Sequence, residues 1–297
     1  MVLIRAGGPV ETAMGSLQVS GRREYIPLVP LIGRALPDYL EYSNERVWDA
    51  NEHYLVTTKG GRTKRKPQVC IVAPHATGGG VFDPYTATLA YETLKRLEKD
   101  EPAFSYKILI SATQRIELDY NRKLNGKKEA LSYGACREKV LKGDASKDVL
   151  KEYDKYWSSC AIPAVSGADY GKKRKAYKGF QDEISSADLV MEIHGFSSLE
   201  EKDYSSIELG TKSGTRSTEL EQVSKRYCGQ NSLLMDASVN HIFSGGKTSN
   251  KPVSLPDVLE EKPVVLVETS YDARTKRMDD LAEFIAGLTS TLAQELL

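Results

Sequence analysis

Two of the four histidines in this 297-residue chain leave short apolar runs toward glycine. The run Val69 to Ala73 ends in Pro74-His75-Ala76-Thr77-Gly78-Gly79-Gly80, and Asp83 follows just ahead of a helical pattern. Glycines there let a ligand or metal approach the backbone. The run Leu189 to Ile193 passes through Glu192 and ends in His194-Gly195, while the run Val264 to Val267 delivers Glu268. Two neutral imidazoles and one carboxylate form a three-ligand catalytic zinc set, with a fourth position for water or substrate oxygen. His75, His194 and Asp83 are the expected ligands. Glu192 lies two residues before His194 and shares its strand face, so it is the alternative third ligand, or a group that orients the metal site from behind. Glu268 is the expected general base, taking a proton from metal-activated water and passing it to the leaving nitrogen. The ordinary alternatives are a satisfied imidazole at each histidine and a capping or salt-bridged glutamate at 268.

A second concentration of chemistry is Arg115-Ile116-Glu117-Leu118-Asp119-Tyr120-Asn121-Arg122. Two guanidinium groups and an amide in one short loop suit an acidic substrate cleaved at a carbonyl, because arginine binds carboxylates through paired hydrogen bonds and stabilises oxyanions. A surface salt-bridge network around Glu117 and Asp119 is the plainer reading. Other signals carry less. Ser244-Gly245-Gly246-Lys247-Thr248 lacks the leading glycine of a P-loop. Ser111 and Ser270 lie in no G-x-S-x-G elbow. His53 and His241 have no strand-end placement, although His241 could reach a substrate if its loop folds over the site.

The elements that must position these residues can be read from periodicity. Apolar runs predict strands at 69–73, 106–110, 189–193, 207–209 and 264–267, and helical spacing predicts helices near 84–98, 127–142, 146–157, 172–184, 216–227 and 278–296. Strands alternating with helices imply a three-layer α/β domain with a mostly parallel or mixed central sheet flanked by helices. In such sheets ligands collect where the strands' carboxyl ends open into loops, which is where His75, His194 and Glu268 fall. Residues 1–66 read as a strand-and-loop extension packed on a catalytic domain of residues 67–297.

Composition narrows the classes. Forty-one basic and forty-one acidic residues give a formal net charge of zero, so no global field draws the chain to nucleic acid or an anionic membrane. The cationic run Lys59 to Lys66 reads as a solvated loop. No segment reaches the roughly 18 apolar residues of a membrane span. Cys70, Cys136, Cys160 and Cys228 are scattered without C-x-x-C spacing, which predicts reduced thiols and a cytoplasmic protein.

Taken in order, these pieces resemble the zinc carboxypeptidase superfold, and within it the branch of N-formylglutamate amidohydrolases, phage poly-γ-glutamate hydrolases and, more distantly, aspartoacylases. Arg115 through Asp119 to Asn121-Arg122 is similar to the R-x-x-x-D-x-N-R signature of the formylglutamate branch. His75 with Asp83-Pro84-Tyr85-Thr86 resembles a first-ligand region, His194 in Glu-Ile-His-Gly a later histidine ligand, and Glu268 in Val-Glu-Thr-Ser the late catalytic glutamate. Glu192 stands where the branch often has aspartate. The resemblance spans roughly residues 68–297. It implies that Arg122 with Asn121 binds a substrate carboxylate and that Arg115 polarises the scissile carbonyl or binds the oxyanion. The expected function is zinc-dependent hydrolysis of an amide on a small or peptide-like acidic substrate, N-formylglutamate-like or γ-glutamyl. A carboxypeptidase-like metallopeptidase and a non-catalytic carboxylate-binding protein are the alternatives, and nucleic acid and membranes are not expected partners.

Overall fold

The computed structural model describes residues 66–76, 83, 85–100, 103–111, 113–196, 205–212, 215–241, 243 and 262–297, with the backbone of four earlier strands. His53, residues 59–65, Gly78 to Gly80 and Ser244 to Thr248 lie outside the described residues. The earlier strands are β1 (Ala13–Val19), β2 (Arg22–Leu28), β3 (Val47–Ala50) and β4 (Tyr54–Thr58). β1 and β2 pair antiparallel as a separate ribbon. β3 and β4 join a larger sheet with β5 (Gln68–Ala73), β6 (Ser105–Ser111), β7 (Leu189–Phe196), β8 (Ile207–Gly210), β9 (Ala237–Val239) and β10 (Val264–Ser270). Its strand order is β3-β4-β6-β5-β7-β10-β8-β9.

The middle of that sheet is parallel: β6, β5, β7 and β10 run in one direction. Strands covered on both faces read as unbroken apolar runs, and every residue of β5 is buried. Alternate side chains leave to opposite faces. Val69, Ile71, Leu189, Met191, Val265 and Val267 enter one core, with α1 (Thr86–Asp100), α5 (Ser217–Gln230) and α7 (Met278–Leu296). Cys70, Val72, Val190 and Val264 enter the other, against Ala176, Tyr177, Phe180 and Ile184 of α4 (Gly167–Ser185). The result is the expected three-layer α/β arrangement with a mixed sheet. No helix among the described residues is long and apolar enough to cross a membrane.

The predicted elements are present with small shifts at their ends. α4 begins at Gly167, five residues before the sequence pattern suggests, because Ser166 caps it by accepting the Asp169 N–H at 3.1 Å. β9 and the short α6 (Tyr271–Lys276) were not foreseen. Ser270 precedes α6, and its hydroxyl accepts the Ala273 N–H, so that serine works as a cap. The hydroxyl of Ser111 donates to Thr113 O.

Two further helices, α2 (Lys127–Leu141) and α3 (Lys147–Ser159), flank the segment that carries the arginines. Residues 160–164 run beside residues 118–125 as a strap. Asp119 N–H donates to Ala161 O, Ala161 N–H to Lys123 O, and the Asn125 amide pairs both ways with Ile162. α2 closes on this strap at Gly134, where an added Cβ would collide with the Ala164 carbonyl, itself held by Ala164 N–H donating to Ala130 O. Gly134→Ala gains at most about 1 kcal/mol of helix propensity, while backbone displacement costs about 1–3 kcal/mol. The melting temperature should therefore fall in Gly134→Ala and rise in Gly171→Ala, where the Cβ meets open space on α4; scanning calorimetry reads both.

Candidate metal and catalytic site

His75 follows β5 by two residues, His194 is the sixth residue of β7, and Glu268 is the fifth of β10. On β7 the even positions Val190, Glu192 and His194 share a face, and on β10 so do Val264, Leu266 and Glu268. Glu268 is the register partner of His194 on the adjacent parallel strand. These groups therefore emerge at one carboxyl edge, on the α4 side of the sheet. Asp83 is brought to the same edge just ahead of α1: its N–H donates to His75 O at 2.9 Å, and its carbonyl accepts the Thr86 hydroxyl at 2.8 Å.

The two imidazoles meet edge to face with centroids 4.7 Å apart. Asp83 Oδ2 lies 3.5 Å from His75 Nδ1 and 3.0 Å from His194 Nδ1. The opposite nitrogen of each ring faces a second carboxylate, His75 Nε2 at 2.9 Å from Asp119 Oδ1 and His194 Nε2 at 2.8 Å from Glu192 Oε1. A ring whose Nε2–H is given to a carboxylate has its Nδ1 lone pair available for a metal, an arrangement common around metal-bound histidine. His75 Nδ1 is buried with no hydrogen-bond partner. A tetrahedral centre with bonds of about 2.0–2.1 Å has ligand edges of about 3.3 Å, and the separations of 3.0 and 3.5 Å bracket that length. Ligand atoms of His75, Asp83 and His194 all lie within 4.8 Å of one another. These residues fit a divalent cation, and Glu192 sits on the far nitrogen of His194.

The segment that carries the two arginines reaches this neighbourhood as well. Asn121 Nδ2 donates to Glu192 Oε1 at 2.5 Å and lies 2.8 Å from His194 Nε2. Arg115 Nε donates to Asp119 Oδ2 at 2.9 Å, with its guanidinium over the Trp157 ring at 5.3 Å. Arg122 Nε donates to Trp157 O at 3.1 Å and its Nη1 to Asn121 O at 3.0 Å. The arginines thus connect to the histidines through Asp119, whose contact with His75 no sequence signal beyond its place in the motif could reveal. Arg274 was also missed. It is buried, donates to Thr269 O and Phe196 O at the ends of β10 and β7, and occupies space that a Cβ on Gly195 would fill.

Electrostatics follow the geometry. Burial alone would raise the carboxyl of Asp83, but the hydrogen bond to His194 and the proximity of both imidazoles outweigh it and hold the group well below the usual carboxylate range. Asp119 is likewise depressed, burial being overcome by His75, Arg115 and Arg122. Burial would depress His194, yet Asp83 and Glu192 lift it to about 10. Glu268 goes the other way: burial pushes it up to about 7, aided by Asp83 and Glu192 and opposed by His194 and Arg274.

No protein-family model and no curated protein matches this chain. Among solved structures, the chain is similar to an N-formylglutamate amidohydrolase from Ralstonia eutropha, at 13% identity and TM-score 0.46, over 82% of this chain and 98% of that one. It is also similar to an N-acetylmuramoyl-L-alanine amidase from Clostridium difficile, at 14% identity and TM-score 0.39, over 78% of this chain and 99% of that one. A metallo-carboxypeptidase from Pseudomonas aeruginosa is similar at 14% identity and TM-score 0.39, over 80% of this chain and 61% of that one.

Glu268 gives a pH prediction. Its folded value near 7 stands above its ordinary 4.5, so the folded state binds the proton more tightly. The stability this contributes is complete below about pH 4.5 and is lost as pH rises through about 7, on the order of 3 kcal/mol. In protein stripped of metal by chelator, the melting temperature of Glu268→Gln should gain on wild type between pH 4.5 and 7 and hold a constant lead above that. A lead that does not change with pH contradicts the assignment.

Proposed function

We propose that this chain is a zinc-dependent amidohydrolase cleaving an amide of a carboxylate-bearing substrate, N-formylglutamate-like or γ-glutamyl. The observation that carries the reading is the convergence of His75 Nδ1, His194 Nδ1 and Asp83 Oδ2 beside a buried glutamate with raised proton affinity. His75, His194 and Asp83 would hold the cation, with Asp119 and Glu192 orienting the two rings. Zinc bound there supplies Lewis acidity, which acidifies water and polarises a carbonyl.

The chain's own groups do the rest. Glu268 accepts a proton from the attacking water on its carboxylate and returns it to the leaving nitrogen, and a proton affinity near neutrality serves both transfers. Arg115, held at Nε by Asp119, would donate from its terminal nitrogens to the carbonyl oxygen as charge develops on it. Arg122 with Asn121 anchors the substrate carboxylate. Both are buried, so this contact forms away from bulk water, where a charge-assisted hydrogen bond is strongest. The substrate is a small molecule or peptide-like acid.

Amine release from N-formylglutamate, a γ-glutamyl oligomer and short peptides tests the reading. Turnover of one of the first two should vanish with chelator and return with zinc. Glu268→Gln should retain the metal and lose about 100-fold or more in kcat, the usual share of a general base. Unchanged turnover in Glu268→Gln refutes the base assignment, and cleavage of peptides alone moves the reading to a metallopeptidase.

A further inference from the structure

We infer that His241, oriented by Glu208, is a substrate-contacting specificity residue on the far side of the site, where its outward nitrogen takes a second anionic group of the substrate. This rests on the amidohydrolase reading and deepens it.

His194, Glu268 and Glu208 form a row across three neighbouring strands. Glu268 is the register partner of His194 on β7 and of Glu208 on β8, and directly paired residues on neighbouring strands share a face. Two strand spacings place Glu208 about 10 Å from His194, comparable to the length of an N-acylated dicarboxylic amino acid. Glu208 is fully buried, and a buried carboxylate must be answered by donors or positive charge. Its Oε1 accepts the Ser205 N–H at 3.2 Å and lies 3.6 Å from His241 Nδ1. The His241 side chain is 57% exposed.

The backbone holds this pair together. After β9 the chain turns at Asn240, whose φ of 56° is left-handed, a conformation that costs a non-glycine residue energy unless its surroundings enforce it. Three hydrogen bonds do so: Asn240 N–H to Leu209 O at 2.7 Å, Thr211 N–H to Asn240 Oδ1 at 2.9 Å, and Asn240 Nδ2 to Thr211 Oγ1 at 2.9 Å. The pinned turn brings the next residue, His241, back to Glu208. A carboxylate behind one ring nitrogen orients an imidazole and directs the other nitrogen outward. With Nδ1 turned toward Glu208, Nε2 is the ring nitrogen left to meet an anionic group. Asn121 meets Glu192 and His194 on β7, with Arg122 next to it in the chain, whereas His241 lies at β8, two strands away, so the two anion-binding positions are separate. That arrangement fits an amide carrying two acids.

The test compares N-formyl-L-glutamate with N-formyl-L-norvaline, which lacks the side-chain carboxylate, in zinc-loaded wild type, His241→Asn and Glu208→Gln. Wild type should prefer the dianion. Loss of one charge-assisted hydrogen bond should raise KM for N-formylglutamate about 10-fold in His241→Asn with kcat nearly unchanged. Turnover of N-formylnorvaline should stay at the wild-type level, which shows the catalytic machinery intact. Glu208→Gln should act in the same direction. If His241→Asn keeps the wild-type preference, or wild type has none, this inference fails while the hydrolase reading stands. If wild type cleaves neither compound nor any other amide, the hydrolase reading fails and takes this one with it.

Discussion

The site is governed by the cost of burying carboxylates together. Asp83, Asp119, Glu192 and Glu268 converge on one edge of the sheet, each at most 8% exposed. Charges removed from water need close partners. Arg115 and Arg122 answer Asp119, and Arg274 contributes positive charge near Asp83 and Glu268. The two imidazoles sit between the remaining oxygens, each with one nitrogen toward Asp83 and the other toward a separate acid. An arrangement of this charge suits a cation of high charge density, and the ring orientations direct both Nδ1 atoms to the same place.

Several features of the fold serve that edge. The parallel strands deliver His75, His194 and Glu268 because all three lie at or beyond the last buried apolar position of a run. The arginine loop is held from outside: the strap at residues 160–164 binds its backbone, while Glu117 receives Arg137 of α2 and Lys173 of α4. Trp157, near the end of α3, stacks on Arg115 and accepts from Arg122 through its carbonyl. Burial by several elements leaves these side chains few alternative rotamers, which is how a centre of this kind is kept rigid.

Much of this was legible in the sequence because it follows from local pattern. A strand buried on both faces advertises itself as an apolar run, so the strands carrying His194 and Glu268 and the one leading to His75 could be read directly. Side-chain alternation then put Glu192 on the face of His194. What stayed hidden was long-range. Nothing local says that Asp119 meets a ring 44 residues earlier, or that Arg274 fills the space Gly195 leaves open. Whether Asp83 or Glu192 faces the shared Nδ1 atoms depends on how the segment before α1 folds back, and sequence spacing cannot decide that. β9 was too short and too polar to register, and His241 had no visible partner because Glu208 lies 33 residues away in sequence, on the neighbouring strand of the sheet.

The proposed chemistry requires that His75 and His194 hold one cation between them. Zinc titration of chelator-stripped protein, followed by equilibrium dialysis with metal analysis, tests it most directly. Wild type should take up one zinc per chain, and tight binding should be lost in His75→Ala and in His194→Ala alike, with both variants still folded. Full, unweakened binding in either variant would contradict it.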